Sequence, residues 1–182
     1  MRIMIDTNVF LDVLTQREPF YAASRQVLEL CENDRVQGFL TASSVTDIYY
    51  LIHRHLHDTE QSYQALGAVL KIAKVLPVTN EDVLSAYLLP RAAAESGTHP
   101  EENFAKANSP MGSRLAAPAA TSEIDDLPSG RSSYLRRAPD FEDCLLAACA
   151  QVNHCDMIVT RNVKDFAGLG IPAMAPDEFL RI

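Results

Sequence analysis

At 182 residues and 47% hydrophobic content, the chain is long enough for one domain with a sizeable core, and no apolar run approaches the ~20 residues that span a bilayer. Its formal net charge of −8, from 24 acidic and 16 basic residues, argues against a nonspecific nucleic-acid binder. That balance still permits an enzyme whose acids gather around cations, because the ions reverse the local field.

The first predicted element is a short apolar strand, Arg2 to Ile5, interrupted by Asp6-Thr7-Asn8. Thr7 or Asn8 is expected to cap a helix through Val9, Leu11 and Val13. Pro19 precedes a second helix, Tyr21 to Cys31, and QGFLT (37–41) reads as a second strand. In TASSVTDIYYLIHRHL, the apolar positions Val45, Ile48, Tyr49, Ile52 and Leu56 follow helical spacing. Asp58 and Gln61 form a capping-box pattern ahead of a helix with Tyr63, Leu66, Val69 and Leu70. KVLPVT (74–79) is expected as a third strand, with its internal Pro77 marking either an edge or an irregular end, and Asn80 capping the helix EDVLSAYLL.

Residues 90–139 hold six of the ten prolines and few large apolar residues. Such a stretch buries too little surface to offset its ordering entropy, so a flexible insertion is expected at about 91–138, with some helix near Arg91 to Glu95. Its end, RSSYLRR, puts Arg131, Arg136 and Arg137 beside Tyr134, either as a solvated linker tail or as a basic arm touching RNA or a partner. Pattern returns in DFEDCLLAACAQV, where Asp140 is the expected N-cap and Cys144 to Ala150 is apolar on nearly every face. MIVT (157–160) is a fourth strand, Ile171 to Met174 a short last one, and Asp177 starts a terminal helical turn. Strands alternating with helices predict an α/β fold: a three-layer α/β/α sandwich on a mainly parallel sheet of four to five strands, forming one domain over 1–182.

Cys31, Cys144, Cys149 and Cys155 show no CxxC pairing and read as small hydrophobes, while Cys149, His154 and Cys155 fit no standard zinc spacing. With Arg2 followed so soon by Asp6, the start has no signal-peptide pattern, and a soluble, cytoplasmic protein without membrane contact is expected.

Ligands of open parallel sheets bind beyond the carboxyl ends of the strands. Asp6 stands there after the first strand, and Asn162 and Asp165 after the fourth. Asp47 and Asp143 are expected in the first turns of their helices, off the core stripes. Singly, Asp47 and Asp143 are explicable as helix caps and Asp165 as a loop residue; Asp12, Asp140 and Glu142 cap helices or line a rim. Asp6 is harder to explain that way, since a carboxylate ending a buried strand needs a partner or a cation. If the four converge, mutual repulsion calls for a divalent cation, and all-oxygen ligands favour Mg²⁺ or Mn²⁺. Such a site suits phosphodiester hydrolysis, with Thr7, Asn8, Ser43, Thr160 and Asn162 available to hold ligands, water or phosphate.

The stretches IDTNVFLDVL, SSVTDIYYLI, DFEDCLLAACA and CDMIVTRNVKDF, in that order, resemble the PIN-domain ribonuclease family, which includes VapC-type toxins. The resemblance implies a Mg²⁺- or Mn²⁺-dependent cytoplasmic endoribonuclease acting on RNA, often a homodimer, with an antitoxin partner in the toxin subgroups. Carried over by position, Asp6, Asp47 and Asp143 are the metal ligands of the catalytic site. Asp47 stands where many members have Glu, and Asn162 where many have an acid, so the fourth position falls to Asp165 or to a neutral Asn162 ligand. That departure leaves open an alternative, a catalytically weakened PIN-fold binding or regulatory module. A haloacid-dehalogenase-like phosphatase also starts with Asp after its first strand, but needs a second Asp where this chain has Asn8.

Overall fold

Side chains in Arg2–Ile5 (β1) alternate across two buried faces, Ile3 and Ile5 to one and Met4 to the other, as a strand covered on both sides requires. The protein is described by a computed structural model, which covers residues 1–94 and 140–182. The other elements are α1 Thr7–Leu14, α2 Tyr21–Glu32, β2 Gln37–Thr41, α3 Ala42–Leu56, α4 Thr59–Ile72, β3 Lys74–Leu76, α5 Asn80–Ala94, α6 Phe141–Val152, β4 Met157–Val159, a 3₁₀ turn Val163–Phe166, β5 Ala173–Met174 and α7 Pro176–Phe179.

The strands form one sheet of order β3-β2-β1-β4-β5, every pair parallel. Register sets Ile3 opposite Gly38 and Met157, so β1 is central and the ends of β1 and β4 stand side by side. On one face, Ile3, Ile5, Leu40 and Val159 pack with Val9, Phe10, Val27, Ile48, Ile52 and Val69 of α1–α4. On the other, Met4, Phe39 and Ile158 pack with Ala86 of α5 and the run Cys144 to Ala150 of α6. This is the expected three-layer arrangement. All four cysteines are free, three of them buried, and burial pushes the thiols of Cys31 and Cys149 up to about 11 and about 12. No helix of the described residues is long and apolar enough to cross a membrane.

Several boundaries differ from the sequence reading. β3 stops at Leu76, before Pro77, whose missing N–H cannot extend a ladder; its edge position is as expected. β4 stops at Val159, one residue short of Thr160, and β5 is limited to Ala173–Met174. Thr79, not Asn80, caps α5: its Oγ1 accepts from the Asp82 N–H at 3.2 Å while Asp82 Oδ2 accepts from the Thr79 N–H at 2.8 Å. That helix continues through Pro90 to Ala94, forgoing one backbone hydrogen bond at the proline. Asp58 caps α4 as expected, accepting from the Gln61 N–H at 2.8 Å. The insertion at 91–138, apart from the last turn of α5, and Arg131, Arg136 and Arg137 lie outside the described residues.

Candidate active site

Asp6 follows β1 directly and itself caps α1, the role expected of Thr7 or Asn8. Its carboxylate is half-buried and heavily bonded. Oδ2 accepts from Thr160 Oγ1 at 2.6 Å and from Asn8 Nδ2 at 2.5 Å, and the Asn8 N–H lies 3.5 Å from Oδ1. The fully buried Thr160 hydroxyl in turn accepts from Asn8 Nδ2 at 3.2 Å and from the Asn162 N–H at 2.9 Å. The Arg161 N–H donates to Asn8 Oδ1 at 3.2 Å. The ends of β1 and β4 are thereby laced together, and Asp6 is fixed in orientation.

Asp47 does not stand in a first turn. Thr41 ends β2 and caps α3, its Oγ1 accepting from the Ser44 N–H at 3.1 Å, which moves Asp47 into the second turn, where it caps nothing. Asp143 does stand in the first turn of α6, behind Asp140, which holds the N-cap position without a side-chain cap bond. Asp165 lies in the 3₁₀ turn after β4, and Asn162 precedes that turn.

A cleft of about 520 Å³ brings these groups together at the carboxyl edge of the sheet: Asp6, Asp47, Asp143 and Asp165 line it, along with Asp140 and Glu142. Thr7, Asn8, Ser43 and Asn162 line it as well, whereas the buried Thr160 reaches it only through its bonds to Asp6, Asn8 and Asn162. No Lys or Arg is among the described residues lining it. Like charges at such proximity resist ionisation. Burial, then the charges of Asp47 and Asp6, a hydrogen bond to Asp47 and the charge of Asp143 push Glu142 up to about 7. Burial, then Asp6, Asp165 and Asp140, push Asp143 up to about 6. Burial also raises Asp6, against the opposing pull of the Thr160, Asn8 and Thr7 hydrogen bonds and the Arg161 charge.

Asp12 is not a cap or a rim residue. It is fully buried in α1, with Oδ2 at 3.2 Å from Arg161 Nε and 3.1 Å from Ser24 Oγ, and Oδ1 at 4.0 Å from Arg17 Nη1. Arg161 also stacks over the Phe20 ring at 4.6 Å, so it braces the loop carrying Asn162 from behind the cleft. Sequence reasoning passed over Arg161, Tyr50 and Leu51. The last two line the cleft and stand at i+3 and i+4 from Asp47, which is the signal that finds them.

The donor set is oxygen throughout: carboxylates, the Thr41, Ser43 and Ser44 hydroxyls and the Asn8 and Asn162 amides. That chemistry fits a hard divalent cation and disfavours zinc. As placed, no three acid, His or Cys side chains among the described residues draw close enough to form a metal-holding group, so the carboxylates surround the cleft and do not close on one point.

Comparison with solved structures finds chains of the same fold at low identity. One is in the crystal structure of VapBC2 from Rickettsia felis bound to a DNA fragment from their promoter, with TM-score 0.58, 14% identity, and 96% of this chain and 98% of that chain covered. Another is in FitAcB from Neisseria gonorrhoeae, at TM-score 0.58, 16% identity and coverage of 96% and 97%. A third, in VapBC-1 from nontypeable Haemophilus influenzae, has TM-score 0.54, 15% identity and coverage of 97% and 99%. No curated protein sequence matches. The PIN domain family model matches residues 2–164, nearly the whole chain. The chain belongs to the PIN domain family.

Proposed function

We propose that this protein is a divalent-metal-dependent endoribonuclease in which Asp6, Asp47 and Asp143 hold Mg²⁺ or Mn²⁺, and Asp165 serves a second position beside Asn162. The observation that carries this reading is the lining of one cleft by six carboxylates, with no basic residue among the described lining to balance them. When bound there, the cation supplies charge neutralisation at a phosphate and acidifies a water. The chain's own contribution is positional. Thr160 and Asn8 aim the Asp6 carboxylate, and the Arg161 N–H fixes the Asn8 amide that does so. Ser43 lines the wall, bonded to Thr41 Oγ1 at 2.8 Å, and Asn8 and Asn162 present amides towards the cleft.

Purified protein is expected to cut single-stranded or structured RNA in Mg²⁺ or Mn²⁺, to stop when a chelator is added, and to lose cutting on Asp6→Asn with the fold retained by circular dichroism. Cleavage that survives both treatments assigns the activity elsewhere. A second reading, a PIN-fold module that binds without cutting, is favoured by Asn162 at a position where an acid would complete the set. Folded protein that takes up no Mn²⁺ in a calorimetric titration selects that second reading.

Structural neighbours that are toxin–antitoxin complexes, one from Klebsiella pneumoniae among them, support an antitoxin partner for this chain. We extend the reading accordingly: a cytoplasmic homodimeric toxin of VapC type, neutralised by a cognate protein. Co-expression with the product of the adjacent gene, followed by co-purification and loss of RNA cutting, tests this.

A further inference from the structure

The acidic cleft continues into a second groove of about 460 Å³, lined by Thr15, Arg17, Arg54 and His55, and joined to the first through Leu11 and Leu51, which line both. No carboxylate is among the described residues lining this second groove, in a chain of net charge −8. Arg17 is held only loosely: Asp12 lies 4.0 Å away and already has Arg161 at 3.2 Å. Arg54 and His55 are exposed and, among the described residues, make no ion pair.

α3 organises both grooves. Asp47, Tyr50, Leu51, Arg54 and His55 stand at i, i+3, i+4, i+7 and i+8, so they share one helical face flanking the core stripe of Ile48 and Ile52. Asp47 to Arg54 is about 10.5 Å along the axis. Over that length the face changes from a carboxylate in the acidic cleft, through a 63% exposed tyrosine ring, to free positive charge. Basic residues in the last turn of a helix complement its dipole, and that accounts for Arg54 and His55 taken alone. It does not account for Arg17, which comes from beyond the end of α1 and lines the same groove.

We propose that the face Tyr50–Leu51–Arg54–His55, with Arg17 across from it, is a track for single-stranded RNA leading out of the acidic cleft. Arg54 and Arg17 take backbone phosphates and Tyr50 stacks on a base, the combination of charged groove and aromatic platform that suits an unpaired strand. The track rests on the reading of the acidic cleft as the place where phosphodiesters are cut.

Binding of a short fluorescent oligouridylate to full-length Asp6→Asn protein, followed by anisotropy over a salt series, separates the two readings because it needs no cleavage. Arg54→Gln is expected to weaken binding about tenfold and to lower the slope of log affinity on log salt by about 0.7, the loss of one phosphate contact on a single strand. Tyr50→Ala is expected to weaken binding about tenfold or more with the slope unchanged. Arg35→Gln makes the same change of net charge at an exposed site lining a separate groove with Gln26 and Leu180, and should alter neither quantity. Equal effects of Arg54→Gln and Arg35→Gln, no effect of either, or no binding by the parent overturn the track. So does an Arg54→Gln defect confined to capture of an acidic peptide. If wild-type protein fails to cut RNA while the Arg54 and Tyr50 effects persist, the track stands and the catalytic reading falls. If it cuts and Arg54→Gln behaves as wild type in both assays, the track alone falls.

Discussion

Glu142 and Asp143 sit on the first turn of α6 and face other acids, so each folded-state carboxyl is held above its ordinary value, to about 7 from 4.5 and to about 6 from 3.8. An acid raised on folding favours the fold below its unfolded pKa, and that contribution is lost as pH rises through the folded value. The window therefore runs from about pH 4 to about pH 7. In chelator-treated protein, Asp143→Asn is expected to melt above wild type at pH 7.5 and level with it near pH 4. Solvent screening keeps the gain to about 1 kcal/mol, or roughly 2–4 °C in Tm. The same protonation competes with a cation, so Mn²⁺ affinity measured by calorimetry should fall as pH is lowered from 7 to 5. Arg161 gives a contrasting residue-scale prediction. Arg161→Ala strands Asp12, whose side chain is fully buried, and should destabilise by about 3 kcal/mol in urea denaturation, with part of the loss restored by Asp12→Asn.

At the scale of elements, α3 is set by the residue that ends β2. Thr41 Oγ1 caps the helix through the Ser44 N–H and also bonds the Ser43 and Ser44 hydroxyls, each at 2.8 Å, so one side chain joins strand, helix and cleft wall. Thr41→Ala is expected to cost about 1 kcal/mol of stability, and Thr41→Ser to restore most of it, both read by thermal melting. β2 and α2 are joined closely because Gly38 has no side chain: a Cβ there would lie 2.9 Å from both Cys31 Sγ and Ile5 Cδ1. Both neighbours are buried core atoms, so Gly38→Ala should destabilise by about 1–3 kcal/mol in urea denaturation, without a change in the cleft residues.

For the whole molecule, the parallel order β3-β2-β1-β4-β5 puts the ends of β1 and β4 next to one another and lets α3 and α6, from opposite layers, bring acids to the same edge. The cleft's unbalanced negative charge predicts that a cation stabilises the entire fold. Addition of Mn²⁺ to about a hundred times its Kd should raise stability by about 2.7 kcal/mol, visible as a higher Tm. Substituting Asp6 or Asp47 by Asn should reduce that rise, whereas an exposed acid outside the cleft, such as Glu32, should leave it unchanged.

Much of this was legible from residue order alone. Short apolar runs and helical spacings identify the strands and helices, and Asp6 ending an apolar strand announces a site, because a carboxylate in that position needs partners. The motifs around Asp6, Asp47, Asp143 and Asp165 mark the same residues that line the cleft. What spacing does not carry is which atom satisfies which. Whether Asp6 or Asn8 caps α1 and whether Thr41 or Asp47 caps α3 turn on which side chain meets an N–H two or three residues on, while Asp12 is held by Arg161 and Asp6 is oriented by Thr160, 154 positions away. The sequence by itself determined the layers, the parallel sheet and the acidic residues at its carboxyl edge, since hydrophobic periodicity and strand–helix alternation are local properties. Only the tertiary structure decided the Asp12–Arg161 brace, the crowding of Asp47, Asp6 and Asp143 around Glu142 and the continuity of the acidic cleft with a basic groove, because each is made by side chains whose proximity depends on how the layers pack.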